Sequence, residues 1–295
     1  MEEVVVLIVG AGPAGLATTA CLSQFSIPYV IVERENCSAS LWRNRAYDRF
    51  KLHLAKEFCE LPHMSYPVDA PTYIPNNQFV KYLDDYIEHF NIQPKYLTAV
   101  ESSTYDIDGK CWCIMARDMT SCMVVNYMAR FLVVASGENS AANIPMFLGQ
   151  QTFPNVSIHS SKIAYDLVTH GANTFLVIRS SIHVMTKELI RLGMTLVRHL
   201  PPKWVDHLLM MMADFVFGDL SKYGIMRPKK DPLVQGMVTK IKGKTIEFQG
   251  GNEASFDAIV FATGYKSTSN TWLKNGESML NDNGLPNKEF PNHWK

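Results

Sequence analysis

The chain has 295 residues, and 47% of them are hydrophobic, which is enough to bury a large core in one or two domains. Lys plus Arg and Asp plus Glu both total 28, so no net charge favours nucleic acid or an anionic membrane as a partner. A signal peptide needs a basic start, whereas Glu2 and Glu3 lead directly into an apolar stretch. The apolar patch at residues 208–213 lies between Asp206 and Asp214 and is too short to span a bilayer, so it predicts a buried or partly buried helix.

The first apolar run, residues 4–9, ends in three spaced glycines and continues as a helical pattern. This order predicts a buried strand, a tight turn and the start of a helix. The first glycine permits the turn, the second lets the main chain approach a pyrophosphate, and the third lets the helix pack closely on the strand. The residues of this predicted phosphate-binding turn are Gly10, Ala11, Gly12, Pro13, Ala14 and Gly15.

A second apolar stretch, residues 27–32, predicts another strand, and Glu33 follows it directly. At this place in a dinucleotide-binding unit, a carboxylate accepts hydrogen bonds from the ribose hydroxyls of the adenosine. The same acid would repel a 2′-phosphate, so it disfavours NADP at this first site. Because strand, turn, helix, second strand and acid follow in order, the segment predicts an N-terminal dinucleotide-binding domain and not a chance glycine-rich loop.

The six cysteines include no Cys-x-x-Cys pair. Cys111 and Cys113 are two positions apart, which predicts one strand with both thiols on the same face. We therefore expect reduced thiols in a cytoplasmic protein. A disulfide reductase would need a close cysteine pair in the first domain, and the sequence offers none there.

Three further features lie between the acid and the middle of the chain. The spacing leaves two roles open for Trp42, contact with the cofactor or cover for the sheet edge. Residues 51–54 alternate between polar and apolar, which predicts a half-buried strand in which His53 is more often a packed residue than a catalyst. Asn76 or Asn77 can cap the next helix, whose single apolar stripe indicates a structural role.

Strands are predicted around residues 110–116 and 124–134, and the second runs into a turn of small residues. The same pattern returns at residues 256–265. Each turn brings the main chain to the carboxyl edge of a sheet, where cofactors bind. Two such turns fit an α/β flavoprotein in which a nucleotide-binding domain is interrupted by another and resumed later. The glycine-containing turn residues are Gly137, Thr263 and Gly264.

Taken together, these motifs resemble those of the plant YUCCA-type flavin-containing monooxygenases. The matching segments cover most of the chain and are residues 10–15, 41–43, 51–54, 58–62, 137–139, 159–161, 177–181 and 261–265. The resemblance implies a Rossmann-like FAD-binding domain interrupted by an NADPH-binding domain. It also implies an enzyme that uses FAD, NADPH and O₂ to convert indole-3-pyruvate, an aromatic 2-oxo acid, into the auxin indole-3-acetate. In such an enzyme the flavin carries the chemistry, and the protein supplies orientation and a dry pocket.

The resemblance also implies cofactor contacts beyond the first turn. An Arg after the strand at residues 174–178 can pair with an adenosine 2′-phosphate, although a surface Arg is the alternative. The implied FAD contacts are Glu33, Arg34, Leu41, Trp42, His53, Gly137, Thr263 and Gly264, and the implied NADPH contacts are Arg179 and Ser180.

The sequence departs from the family pattern where a second G-x-G-x-x-G should follow residues 159–161. The chain passes instead into residues 163–172, which look like a later part of that domain's first helix. We also expect missing segments between residues 234 and 237 and after Lys295. The expected domains are residues 1–160, the first part of the FAD domain; residues 161–236, a truncated NADPH domain; and residues 237–295, the return segment of the FAD domain.

Three functions follow from this organisation. The first is a working YUCCA-like monooxygenase. The second is a noncatalytic flavoprotein remnant, or splice-type product, that has lost NADPH binding together with the second glycine motif. The third, a simple NAD-dependent dehydrogenase, is disfavoured because the late Ala-Thr-Gly turn replaces a catalytic His or Tyr arrangement.

Overall fold

The structure is a computed structural model that describes residues 1–46, 50–154, 156–159, 185–218, 238–248, 251–261, 263–274 and 279–287. Short 3₁₀ turns lie at Lys56–Phe58 and Gln150–Thr152. In chain order, the described helices and strands are β1 (Glu2–Val9), α1 (Pro13–Gln24), β2 (Tyr29–Val32), α2 (Ser40–Asn44), α3 (Asn76–His89), β3 (Thr98–Asp106), β4 (Cys111–Asp118), β5 (Val124–Val134), β6 (Ala141–Ala142), β7 (Val156–His159), α4 (Lys187–Leu196), α5 (Pro202–Phe217), β8 (Val238–Lys242), β9 (Thr245–Phe248), β10 (Glu253–Ser255), β11 (Ala258–Phe261), β12 (Tyr265–Lys266) and α6 (Ser269–Trp272).

The described chain divides into two compact units. Unit 1 is formed by Met1–Ala141 and Tyr265–Lys295, and unit 2 by Ala142–Gly264. The chain therefore leaves unit 1 and later returns to it. The functional division at residues 1–160, 161–236 and 237–295 stays a prediction.

Unit 1 is built on a five-stranded sheet in the order β2-β1-β5-β4-β3. β1 runs parallel to both neighbours, with Ile8 opposite Ile31 on β2 and Val133 on β5. The strands β5, β4 and β3 then follow as an antiparallel meander. A central parallel strand is covered on both faces, which explains why β1 is almost continuously apolar. A half-exposed strand would instead alternate between polar and apolar residues.

Both faces of this sheet carry an apolar core. On one face, Ile8 packs in a cluster with Leu16 of α1 and with Leu83 and Tyr86 of α3, all four with no measurable exposure. On the other face, Leu7 packs in a cluster that includes Trp272 at the end of α6. The return segment of the chain thus completes the core that the N-terminal strand begins.

Unit 2 contains three groups of described elements. β8, β9 and β10 form an antiparallel sheet in the order β10-β9-β8, and β11 pairs in parallel with β7. α4 and α5 pack through a small cluster of buried side chains, namely Leu189, Val205, Leu209 and Ala213. The apolar patch at residues 208–213 therefore lies within a helix, as predicted.

The structure corrects two local predictions. Residues 51–54 do not form a strand, and the only pairing found there is an isolated bridge between Lys51 and Pro75. α3 is not capped by the side chain of Asn76 or Asn77, because the N-cap residue is Pro75 and no side-chain hydrogen bond caps the helix. The fixed φ of proline orders that entry, and from inside the first turn Asn77 Oδ1 accepts a hydrogen bond from the Gln78 N–H at 2.9 Å. The strand predicted at residues 174–178 lies outside the described residues.

Candidate functional site

The glycine turn joins three neighbouring elements at the carboxyl end of β1. Gly10 donates its N–H to the Val32 carbonyl of β2 at 2.8 Å, and Ala135 donates to the Val9 carbonyl at 2.9 Å. Gly10 has a φ of +110°, and a Cβ on it would come within 2.4 Å of the Ala135 carbonyl oxygen. Only glycine therefore fits at this position, where the turn passes close to the main chain of Ala135.

Gly12 and Gly15 are required for different reasons. A Cβ on Gly15 would lie 1.9 Å from the Gly10 carbonyl oxygen, so glycine here lets α1 pack against the turn. A Cβ on Gly12 would meet no protein atom within 4 Å. Gly12 is the N-cap of α1, and no side chain caps the N–H groups of the first helical turn. The turn therefore presents bare main chain and the positive end of a twelve-residue helix to the space beside it.

Glu33 is held rigidly at the end of β2. One carboxylate oxygen, Oε2, accepts a hydrogen bond from the Ala11 N–H at 2.7 Å, and the other, Oε1, accepts one from the Glu35 N–H at 3.0 Å. An ionised carboxylate has about four acceptor positions, so two remain for hydroxyl groups of a ligand. The hydrogen bond from Ala11 connects the glycine turn to Glu33, so that both lie beside the same cavity.

α2 contains Leu41 and Trp42, which line the same cavity. The preceding Ala39 adopts a left-handed conformation with a φ of +52° and donates its N–H to the Ala11 carbonyl at 3.0 Å. The Trp42 ring lies 4.8 Å from the Phe79 ring of α3 in an edge-to-face arrangement. Trp42 lines the cavity and also packs against the core cluster, and its contact with a cofactor stays a prediction.

One cavity of about 490 Å³ in unit 1 collects these features. A volume of this size is typical of a small-molecule or cofactor site. Most of the sequence-predicted contacts line it. Those residues are Gly10, Gly12, Pro13, Ala14, Glu33, Arg34, Leu41, Trp42 and Gly137.

Two residues of the turn support the cavity without lining it. Ala11 is fully buried and provides the N–H that holds Glu33. Gly15 lies behind the turn, where it contacts the Gly10 carbonyl. Both therefore shape the main chain at the mouth.

The remaining predicted contacts are either not among the residues that line this cavity or lie outside the described residues. His53 is not among the residues that line the cavity, and its ring packs edge-to-face on Phe50 at 5.3 Å. Thr263 and Gly264 belong to unit 2, where both hydrogen-bond to Asn143. Arg179 and Ser180 lie outside the described residues.

The structure also adds cavity residues that sequence reasoning missed. The turn after β5 contributes Ser136, whose hydroxyl lies 3.0 Å from that of Ser269 at the start of α6. The start of β3 contributes Thr98, which donates its N–H to the Glu33 carbonyl at 2.9 Å. Ser136 lies in the turn at residues 135–139 that the sequence predicts beside the cofactor, where Gly137 is the only named contact. The full added set is Val9, Val32, Glu35, Ala39, Ser40, Arg45, Thr98, Ala99, Val100, Ala135, Ser136, Glu138, Asn139, Ser140, Thr268, Thr271 and Trp272.

These residues fit the adenosine diphosphate part of a flavin dinucleotide. The open space above Gly12 can receive a diphosphate, and the fixed Glu33 carboxylate can receive a ribose. The parallel strands, glycine turn and strand-end acid around one cavity define a dinucleotide-binding oxidoreductase. In agreement, the family described as pyridine nucleotide-disulphide oxidoreductase matches residues 7–182.

Individual relatives define the family more closely. The chain is 43% identical to the probable indole-3-pyruvate monooxygenase YUCCA10 of Arabidopsis thaliana, covering 99% of this chain and 90% of the relative. It is 34% identical to the indole-3-pyruvate monooxygenase YUCCA6 of Arabidopsis thaliana, covering 98% of this chain and 82% of the relative. The chain therefore belongs to the YUCCA family of flavin-dependent monooxygenases, and the resemblance seen in the motifs is confirmed.

A solved structure shows the same fold. The flavin-containing monooxygenase from Stenotrophomonas maltophilia superposes with a TM-score of 0.72 at 18% identity, covering 97% of this chain and 85% of that one. The alignment with YUCCA10 runs over 343 positions, whereas this chain has 295 residues, so the relative carries residues that this chain lacks. Within the described residues, no helix is long and apolar enough to cross a membrane.

Proposed function

We propose that the chain binds FAD in the unit 1 cavity and oxidises an aromatic 2-oxo acid, with indole-3-pyruvate as substrate and indole-3-acetate as product. NADPH and O₂ are the cosubstrates. The observation that carries this proposal is the combination of bare main chain at Gly12 with the fixed carboxylate of Glu33 in one cavity. Membership of the YUCCA family supports the substrate class, since relatives are named for indole-3-pyruvate.

In this proposal the bound flavin supplies the oxygen chemistry, and the residues of the chain bind and orient it. The glycine turn donates main-chain N–H groups to the diphosphate, while Glu33 accepts from the ribose. Arg34, Leu41, Trp42 and Gly137 form the surrounding walls. His53, Thr263 and Gly264 remain proposed contacts on the strength of the family resemblance.

A second function is favoured by one observation. The 295 residues contain no second G-x-G-x-x-G, the motif that should bind the NADPH diphosphate. A chain without it binds FAD but accepts hydride poorly, which makes it a noncatalytic flavoprotein. Arg179 and Ser180 are the proposed residual contacts to the 2′-phosphate in the segment at 161–236.

The absence of a Cys-x-x-Cys pair further supports reduced thiols and a cytoplasmic location.

One experiment separates the two functions. The purified yellow protein is mixed anaerobically with NADPH, and flavin reduction is followed by absorbance; a second sample is reduced with dithionite. Both are then mixed with O₂ and indole-3-pyruvate, and indole-3-acetate is measured by mass spectrometry. Product in both samples supports the monooxygenase, whereas product only after dithionite supports the second function, because the flavin site is then intact and only reduction by NADPH is lost. No product in either sample supports the noncatalytic flavoprotein, and a colourless protein that ignores added FAD refutes both functions.

A further inference from the structure

The hairpin between β3 and β4 brings together three side chains that the FAD site does not use. They are Asp106, at the end of β3, and Cys111 and Cys113, at the start of β4. One carboxylate oxygen and the two Sγ atoms all lie within 4.8 Å of one another. Asp106 and Cys111 are directly opposite in the register, and Cys113 is on the same face of the strand two residues later.

The local main chain orders this group. Oδ1 of Asp106 accepts hydrogen bonds from the N–H groups of Asp108 at 3.1 Å and Gly109 at 3.2 Å. The Asp106 carboxylate is therefore held by its own turn. A Cβ on Gly109 would lie 2.7 Å from Asp106 Oδ2 and 3.3 Å from Cys111 Sγ. Glycine at this position is what allows the oxygen and the sulfur to approach.

The hairpin carries charges of both signs, with Lys110 in its turn and the carboxylates of Asp106 and Glu3 near Cys111. Desolvation raises the pKa of Cys111, and the neighbouring Cys113, Asp106 and Glu3 raise it further. Glu3 belongs to the same row of the sheet, because both Glu3 and Cys113 pair with Met128 of β5. Asp106 and Glu3 therefore bring two carboxylates near Cys111, and a cation between these groups is attracted by both.

The opposite face of β4 shows that the two cysteines are not core residues. Ile114 and Ala116 are buried in the cluster under the sheet, whereas Cys113 is exposed and Cys111 is half-buried. Asp106 is also exposed, so a metal ion reaches the group from solvent. Asp106 and Cys113 are therefore accessible from solvent, and Cys111 is partly accessible beside them.

From this geometry we propose that Asp106, Cys111 and Cys113 form a binding site for one thiophilic divalent cation of the zinc type. Zinc takes thiolate sulfur at about 2.3 Å and carboxylate oxygen at about 2.0–2.2 Å in a tetrahedron, which places ligand atoms about 3.5–3.8 Å apart. Atoms within 4.8 Å on exposed side chains reach that spacing by rotamer adjustment. Two thiolates and a carboxylate suit zinc better than magnesium or calcium, which prefer oxygen ligands. Binding releases the two thiol protons, and water fills the fourth position.

This site is separate from the proposed FAD site. The nine residues of β3 span about 26 Å from Thr98, which lines the cavity, to Asp106 at the hairpin. Metal binding and flavin binding are therefore independent. Failure of the FAD proposal leaves the metal proposal intact, and the reverse also holds.

The test uses the full-length reduced chain, stripped of metal by a chelator and titrated with Co²⁺ alone. Tetrahedral Co²⁺ with thiolate ligands gives intense visible bands to the red of flavin absorption. We expect one equivalent of Co²⁺ to produce these bands and one equivalent of Zn²⁺ to remove them. Cys111→Ser and Cys113→Ser abolish the bands, while Asp106→Asn weakens Co²⁺ binding by about tenfold or more because it removes one charge of the ligand set.

The matched control is Cys122→Ser, because Cys122 is an exposed thiol outside the group. It leaves the bands and the affinity unchanged. A second measurement does not depend on any variant: Zn²⁺ protects Cys111 and Cys113 of the unaltered chain from iodoacetamide, as read by peptide mass spectrometry, and leaves Cys122 reactive. Absence of thiolate bands, an equal effect of Cys122→Ser, or undiminished alkylation in the presence of Zn²⁺ each overturns the proposal.

Discussion

Gly12 offers the sharpest test of the proposed FAD site, because a side chain there would affect the ligand and not the fold. A Cβ on Gly12 meets no protein atom within 4 Å, and its φ of −78° and ψ of −179° are accessible to any residue. Replacing glycine by an apolar residue at a helix N-cap costs about 0.5–1 kcal/mol. Gly12→Val should therefore fold, with only a small loss in the free energy of unfolding of the flavin-free protein.

The cost to FAD binding is much larger. The valine side chain fills the space beside the first turn of α1, where main-chain N–H groups are proposed to hold the diphosphate. A hydrogen bond to a charged group contributes about 1.5–3 kcal/mol, so losing two of them weakens binding by about 3–6 kcal/mol. This corresponds to a loss of roughly two to four orders of magnitude in affinity.

Two measurements check the prediction, FAD affinity by fluorescence quenching and apo-protein stability by urea unfolding. Gly12→Ala should show a smaller loss of affinity with the same fold. Gly15→Ala provides the contrast, since its Cβ would lie 1.9 Å from the Gly10 carbonyl oxygen and should reduce stability itself. If Gly12→Val bound FAD as tightly as the unaltered chain, the glycine turn would not be the diphosphate site.

Three other substitutions test separate parts of the structure. Glu33→Gln places an amide N–H₂ against a main-chain N–H and should weaken FAD binding by about 1.5–3 kcal/mol, measured by titration. The control Asp85→Asn should have little effect, because that carboxylate pairs with Lys81 on α3 and does not line the cavity. Leu83→Ala creates a cavity in the core around α3 and should lower the free energy of unfolding by about 2–5 kcal/mol, measured by urea unfolding. A change below about 1 kcal/mol would contradict this packing. Thr186→Ala removes the N-cap hydrogen bond that the Thr186 side chain accepts from the Leu189 N–H of α4, which lowers the local stability of that helix by about 1 kcal/mol. Amide hydrogen exchange should therefore become faster in α4 alone. Unchanged exchange would show that the cap is not formed.

The candidate site was predictable where its residues are close in sequence. Gly10, Gly12 and Gly15 follow a strand at a spacing that few other functions require, and Glu33 ends the next strand. Their structural reasons are local, namely a tight turn, an approach of the main chain and a helix start. The structure confirms the expected strand, turn, helix and second strand at those positions.

Other parts of the site depended on which strands become neighbours. Thr98 lines the cavity because the start of β3 pairs with the residue that follows β2. Trp272 lines it because the return segment packs against the sheet of unit 1. Neither residue carries a motif. The ring of His53 packs against Phe50, a contact that the alternation of polar and apolar residues does not reveal, and its place beside the cofactor stays a prediction.

By itself, the sequence of this protein determined the dinucleotide-binding turn, its acid partner, the family, and the lack of a second glycine motif. These properties depend on residues a few positions apart, whose geometry is set by the local main chain. Only the tertiary structure decided that the chain leaves unit 1 near Ala141 and returns at Tyr265, that Trp42 serves both cavity and core, and that Asp106 meets Cys111 and Cys113 across a hairpin. The physical reason is that strand pairing and core packing decide which side chains become neighbours, even across a single hairpin, and no short sequence pattern specifies those partners.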